Sequence, residues 1–172
     1  GSDPSSSTDW SVIGVFTMGR PLGRRCAVKF GGDLAVNTYE GVYPLGKGLL
    51  SSSVDRRVAL TDKIQNSVSQ AASTLGANFG WQVCLNADDN MLILNVPYGG
   101  GANYQYAQNT ITGAWTVFSG WDAQVWLKAS TGLYYGGSTF VNKAWTGIAD
   151  IAVPVTADVC QSFGYFGTKA YN

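Results

Sequence analysis

Apolar residues in this chain fall in short runs separated by glycine and polar clusters, and two of those runs repeat at a fixed interval. Leu92-Ile93-Leu94-Asn95-Val96 follows the polar cluster at 86–90, and Leu133-Tyr134-Tyr135-Gly136-Gly137 begins 41 positions later. The runs ahead of them, Trp81-Gln82-Val83-Cys84-Leu85 and Trp121-Asp122-Ala123-Gln124-Val125-Trp126-Leu127, open on tryptophans 40 positions apart. Each copy continues into an aromatic half, from Tyr104 to Trp115 in one and from Phe140 to Trp145 in the other. Tyr, Trp, Val and Thr suit a pleated, half-buried surface, so these runs predict strands, with a hairpin turn at 109–113. A period of about 40 to 45 residues built from such runs matches a four-stranded propeller blade. An ordinary β-sandwich with coincident spacing is the alternative.

The same grammar extends backwards. Trp10 to Met18 predicts a strand, 19–23 a turn, and Arg25 to Phe30 a second strand. Gly31-Gly32-Asp33 signals a hairpin before Leu34 to Thr38, and Glu40-Gly41 turns the chain into Val42-Tyr43-Pro44-Leu45. The period then breaks. From Ser52 to Leu75 the spacing becomes helical, with Val54, Val58, Ile64, Val68, Ala71, Ala72 and Leu75 on one face. Ser52 with Asp55 forms a capping-box signature, and Gly76 stands where a left-handed C-terminal residue belongs.

The predicted fold is therefore all-β: a partial β-propeller of about three four-stranded antiparallel blades with one helical insertion at about 52–75. Its parts are an N-terminal loop (1–9), a blade (10–50), the insertion (51–78), blades at 79–119 and 120–150, and the start of a further blade at 151–172. Three blades do not close a propeller, which takes about four to eight. A longer chain or another copy is expected to complete it.

Composition agrees with this pattern and narrows the chemistry. The 172 residues include 22 glycines without a collagen period, and only 13% are charged, as suits an all-β domain with many tight turns. Formal charge is zero but uneven. Residues 20–63 carry eight basic side chains against four acidic ones, an asymmetry suited to a polyanion or acidic partner, or to a solvated face with ion pairs. Cys26, Cys84 and Cys160 are odd in number and widely spaced, which suggests neither a disulfide framework nor a zinc site. No apolar run approaches the length of a membrane span, and no membrane association is expected.

Histidine is absent, which removes the commonest general base and metal ligand. Glu40 is the sole glutamate, and the adjacent Asp88 and Asp89 read as turn formers rather than as a glycosidase pair. Asn86, Asp88 and Asn90 match the opening of a calcium loop, but Met91 replaces its glycine and Pro97 its closing glutamate. The stretch 41–48 approaches a phosphate-binding loop, yet Gly48 removes the magnesium-holding hydroxyl. Asn109-x-Ile111-x-Gly113-x-Trp115 shares the end of the sialidase-propeller turn and lacks its aspartate. The residues thus point to no catalytic group, no cofactor and no metal. The six tryptophans are expected mainly in the core, with sugar stacking as the other use of such side chains.

Taken together, 23–33, Glu40 to Leu45, Tyr106 to Trp115, Leu133 to Gly137 and Ala157 to Gly167 resemble the β-propeller tail hub or nozzle proteins of tailed bacteriophages, also described as packaged-DNA stabilisation proteins. The resemblance covers most of the chain and rests on turns and strand ends. It implies a non-enzymatic virion component that assembles as a ring, commonly a hexamer, below the portal. There it would help to retain or conduct packaged DNA, with other copies of itself, portal, adaptor or other tail proteins as partners. It implies a place in the virion tail after synthesis in the host cytoplasm. Under that expectation Arg20, Arg24, Arg25, Arg56, Arg57 and Lys63 are the candidate contacts to neighbouring subunits or, non-specifically, to DNA. The competing expectation is a carbohydrate-binding propeller or lectin-like module, with exposed Trp or Tyr beside polar groups in shallow pockets.

Overall fold

A computed structural model describes residue 5 and residues 17–50, 58–99, 103–146, 149–150 and 153–154. The order of elements is β1 (Ala27–Phe30), β2 (Asp33–Thr38), β3 (Gly41–Pro44), α1 (Leu45–Leu50), a 3-10 turn (Asp62–Ile64), α2 (Gln65–Leu75), β4 (Gln82–Asn86), β5 (Met91–Pro97), β6 (Asn103–Asn109), β7 (Trp115–Phe118), β8 (Val125–Ala129), β9 (Gly132–Gly136), β10 (Val141–Lys143), β11 (Ala149–Asp150) and β12 (Val153–Pro154). The strands form antiparallel meanders: β1-β2-β3, β4-β5-β6-β7 and β8-β9-β10, followed by the short pair β11-β12. The protein is mostly β, as its runs predict. Among the described residues only the middle sheet has four strands; the flanking two have three each.

The turns follow the residues expected of them. Phe30 pairs with Asp33 across Gly31-Gly32, and Gly31 has a φ of 61°, a left-handed conformation open to glycine at little cost. Asn86 pairs with Met91 across the turn that holds Asp88 and Asp89. At the β6–β7 hairpin, Asn109 Oδ1 accepts from the backbone N–H groups of Ile111 and Thr112, and Gly113 donates back to Asn109 O at 2.8 Å.

The middle sheet is covered on both faces, which is why the apolar residues of β5 do not alternate with exposed ones and its one polar side chain, Asn95, is buried as well. Val83, Leu92, Leu94 and Val96 turn to one side, into a core with Leu22, Ala35, Val42 and the α2 residues Val68, Ala71 and Ala72. Cys84 and Ile93 turn to the other, against Trp126, Leu133, Tyr135 and Ala123. The three sheets therefore stack with the middle one between its neighbours. Their first strands are also joined. Arg25 and Gln82 form a parallel bridge, with Val83 N–H donating to Arg25 O at 3.2 Å. On the far side the Gln82 amide clasps the backbone of Trp126, donating to its carbonyl at 2.7 Å and accepting from its N–H at 2.8 Å.

Asn95 is the polar centre of this packing. It is fully buried in β5, and its Nδ2 donates to Gly80 O (2.8 Å) and Ala123 O (2.9 Å). Its Oδ1 accepts from Gln105 Nε2 (2.9 Å) and from the indole N–H of Trp126 (3.0 Å). All four hydrogen-bonding positions of the amide are thus used.

Several sequence expectations are corrected. The helix begins at Gln65, far later than position 52. Thr61 explains the delay: it is fully buried, and its Oγ1 accepts from Val42 N–H at 3.2 Å while Leu60 N–H donates to Val42 O at 2.8 Å. The chain is held along the outer edge of β3 there and becomes helical only afterwards. Val58, expected on the helical face, precedes that stretch; Ser52, Val54 and Asp55 lie outside the described residues.

Gly76 is not left-handed; its φ of −60° and ψ of −23° continue the helical twist. Its small size is required instead by its surroundings: an added Cβ would press on the Ala72 carbonyl oxygen and stand 2.8 Å from the Tyr39 ring. Leu45, expected to end a strand, opens α1, where Asp33 accepts from Gly46 N–H at 2.9 Å. Trp121 precedes β8 by four positions and lies in a loop, so it is not the counterpart of Trp81. The structural equivalents Met91 and Gly132, which open β5 and β9, keep the 41-residue interval. Most of the run from Trp10 to Met18, and most of 151–172, fall outside the described residues.

Two stability predictions follow from this packing. Replacing Asn95 with Leu keeps the volume but strands Gly80 O, one amide hydrogen of Gln105 and the Trp126 indole N–H, whereas Ala123 O keeps Asn103 Nδ2 at 3.1 Å. The cost is about 1–3 kcal/mol for each buried group left without a partner. Urea unfolding of Asn95→Leu is expected to show a loss of at least about 3 kcal/mol, against little change for exposed Asn66→Ala; equal midpoints would refute the role assigned to Asn95. Burial pushes the Cys84 thiol from about 9 up to about 11, against the opposing pull of Lys128. The folded-state value is raised, so its contribution is complete below about pH 9 and is lost as pH rises through about 11. Between those values wild type is expected to lose stability faster than Cys84→Ala, by up to about 1.4 kcal/mol per pH unit. Parallel pH slopes for the two proteins would contradict it.

Candidate interaction surfaces

The loop holding Arg20, Arg24 and Arg25 is fixed by its apolar and glycine residues. Leu22 is buried in the core and donates its N–H to Asn37 O at 2.9 Å, while Pro21 bridges Thr38. Gly23 has a φ of 81° and lies so close to Trp81 that an added Cβ would stand 2.6 Å from the tryptophan Cβ. Backbone placement is thereby set, and the three arginine side chains are exposed. The Arg20 guanidinium sits over the Tyr39 ring at 5.1 Å and that of Arg25 over Phe79 at 5.8 Å. Each keeps its charge at the surface while resting on an aromatic face.

Lys63 belongs elsewhere. Its ammonium donates to Gly113 O at 3.2 Å, tying the turn before α2 to the β6–β7 hairpin. The structure gives it a contact within the chain, and its remaining donors face solvent. Arg56 and Arg57 lie outside the described residues. The six candidate cations therefore do not form one described patch; the arginine loop is the coherent part.

The acidic residues behave as turn chemistry predicts. Asp88 pairs with Lys128 at 2.7 Å, and Asp89 accepts from Asn86 Nδ2 at 2.7 Å. Among the described residues no cluster of three or more His, Cys, Asp or Glu side chains is placed to hold a metal ion.

Two concavities lie on the middle sheet. The smaller, about 190 Å³, is lined by Asp89, Asn90, Met91, Trp115 and neighbours beside the β6–β7 hairpin. The larger, about 590 Å³, runs between α2 and the aromatic side of β6. Ser67, Gln70, Ala71, Thr74 and Leu75 form its helical wall, and Tyr98, Tyr104 and Tyr106 form the other. The tyrosines make a chain, with ring centroids 6.2 Å apart from Tyr98 to Tyr104 and 5.4 Å from Tyr104 to Tyr106. Burial, then the hydrogen bond with the Tyr106 side chain, holds the Tyr104 phenol well above the ordinary tyrosine range, so it stays neutral.

In the sequence Tyr104 and Tyr106 mark only a strand, and the groove is not visible there. The available signal was their i, i+2 spacing, which puts both on one face of a strand, opposite a helix carrying no charged residue. The tryptophans divide: Trp81 and Trp126 are core, whereas Trp145 is exposed at the edge of a ring cluster with Phe118 and Trp121. Trp121 stacks on Tyr135, at 5.4 Å and 5° between planes.

The outer face of the β8-β9-β10 sheet is mainly apolar, with Lys143 on its β10 edge, and is uncovered by described residues. Leu127 pairs across to Tyr134 and that to Lys143, while Val125 and Val141 both face Gly136. Leu127 is 63% exposed and Val141 75%. Comparison of the chain with protein-family models, with curated proteins and with solved structures gives no match.

Proposed function

We propose that the three stacked sheets are successive blades of a β-propeller. On this reading the chain is a structural assembly module of the tail hub or nozzle type, a virion component that joins a ring below the portal and helps retain or conduct packaged DNA. The observation that carries the propeller reading is the pairing of two features. The middle sheet is sandwiched face to face between its neighbours, and the first strands β1, β4 and β8 are linked through Arg25, Gln82 and Trp126. Blades packed around an axis present their leading strands to one another in this way, whereas a two-sheet sandwich has no third sheet on the far side. The virion assignment itself rests on the resemblance in the turn and strand-end segments.

Incompleteness supports assembly. Exposed Leu127 and Val141 give the third sheet an apolar face of the kind that the other two sheets bury. A further sheet, from the same chain or another copy, would cover it. The arginine loop, with its backbone locked and its cations exposed, is the surface offered to a neighbouring subunit or to DNA phosphates.

The assembly reading predicts that the protein sediments as a closed oligomer and gives ring particles in negative-stain images. Leu127→Asp with Val141→Asp is expected to reduce that assembly while circular dichroism stays unchanged. A monomer at every concentration, with no rings, would sink the proposal. For the arginine loop, binding to duplex DNA should weaken as salt rises. Replacing Arg20, Arg24 and Arg25 with Ala should lower the slope of log K against log salt by about 0.9 for each phosphate contact removed. A slope unchanged by the triple replacement would assign the loop to a protein partner or to solvent.

A further inference from the structure

We propose that the groove between α2 and β6 is a binding site for a neutral oligosaccharide. The site goes beyond the assembly role and does not depend on it.

Three features of the groove specify the ligand class. The first is its aromatic wall. Tyr98, Tyr104 and Tyr106 form a continuous series of rings, and Tyr98 remains 62% exposed despite its size. Aromatic faces carry negative potential and pair with the weakly positive C–H faces of a pyranose ring, which presents an apolar side and a hydroxyl rim. The second is the opposite wall. Ser67, Gln70 and Thr74 recur at i, i+3 and i+7, so they share one stripe of α2 spanning about 10 Å. Hydroxyl and amide groups both donate and accept, as sugar hydroxyls do; Thr74 spends its donor on Gln70 O at 2.8 Å and offers the groove an acceptor.

The third feature is charge. None of the eight lining residues is ionic, and α2 has no acidic or basic residue from Gln65 to Leu75. Exposed helical faces usually carry charges opposite their apolar stripe, so a helix whose exposed residues are only Asn66, Ser67, Gln70, Ser73 and Thr74 is itself a feature to explain. A phosphate or nucleic-acid backbone would find no cation here, and an anionic glycan no counter-ion. The neutral Tyr104 phenol continues the same chemistry across the floor. At about 590 Å³ the groove lies within the usual range of about 300–1,000 Å³ for small-ligand clefts, and it is open to solvent along the helix stripe.

Peptide strand addition is not available at this place, because β6 is hydrogen-bonded on both sides, to β5 and β7. A proline-rich peptide is the remaining class that tyrosine grooves accept. It offers mainly carbonyl acceptors and would leave much of the hydroxyl and amide wall unused. The site also differs from a lectin-like repeat, since it is built beside the helix from α2 and β6 rather than from a strand pair common to the sheets.

The test is a glycan array carrying neutral and anionic oligosaccharides, followed by calorimetric titration of the intact protein with the neutral trisaccharide that binds best. Neutral glycans are expected to bind and anionic ones not. Tyr98→Ala should weaken binding by about tenfold or more, Tyr98→Phe by less, and Gln70→Ala by a few-fold. Ile111→Ala, at an exposed apolar residue of the β6–β7 hairpin outside the groove, should change nothing; circular dichroism of each variant checks folding. Absence of any neutral glycan binding overturns the proposal. So does affinity indifferent to Tyr98→Ala, a preference for anionic glycans, or displacement of the sugar signal by a proline-rich peptide that binds more tightly.

Discussion

The arrangement of sheets depends on how buried amides are satisfied between the second sheet and the third. A β-sheet buries its own backbone groups by pairing strands, but two sheets stacked face to face have only side chains with which to recognise one another. Hydrophobic contact alone would hold them at many relative positions. Asn95 and Gln82 remove that freedom. Asn95 must place two acceptors at its amide nitrogen and two donors at its oxygen, and Gly80, Ala123, Gln105 and Trp126 supply them from three segments of the chain. Gln82 must find both a donor and an acceptor, and the backbone of Trp126 provides both. Trp126 is thus fixed at backbone and side chain, by two residues of one sheet. A slide of either sheet by one residue would leave several of these groups buried without partners, and in a low-dielectric interior that is costly.

The other interface is organised differently. Between the first and second sheets the contacts are largely apolar, through Leu22, Val42, Trp81, Val83 and the buried face of α2. Position is set there by close approach rather than by polar matching. Gly23 lets the first sheet's entry loop rest on Trp81, and Gly76 lets the end of α2 lie on Tyr39. Leu60 completes the join, since its carbonyl accepts from Gln108 Nε2 and from the Trp115 indole, both at 3.2 Å, while its N–H reaches Val42. The segment before α2 is therefore a bridge across two sheets, and the helix it introduces is a cover for their joint core.

These two kinds of interface explain what was legible in the sequence. Strand identity and the 41-residue interval could be read because alternation and turn residues are local properties: Asn109 bonds within its own hairpin and Gly31 bends its own turn. The run at 92–96 marks the strand, but that both of its faces are buried, Asn95 included, depends on sheets distant in the chain. Helix length was not legible either, because Thr61 is committed to Val42 in β3, and nothing near Thr61 in the chain announces that partner. Gly76 misled for a related reason: a glycine at a helix end signals a left-handed cap, but here the Ala72 carbonyl and a ring 37 positions earlier in the chain leave no room for a side chain. Of the candidate cations, those in the arginine loop could be judged exposed from sequence. The engagement of Lys63 with Gly113, 50 positions away, could not.

The groove illustrates the same division at the level of function. Its two walls come from α2 and β6, which meet only because the helix must cover Val83, Leu94 and Val96 with Val68, Ala71 and Ala72. That requirement uses one face of an eleven-residue helix and leaves Ser67, Gln70 and Thr74 at the margin of the contact, facing the tyrosine row. A purely structural helix margin is well served by lysine or glutamate, whose stems cover apolar surface while their charges stay in water. Uncharged hydroxyls and amides beside tyrosines give less solvation and no gain in packing. Their use along this margin is accounted for if the margin has to meet a ligand that itself carries hydroxyls and no charge.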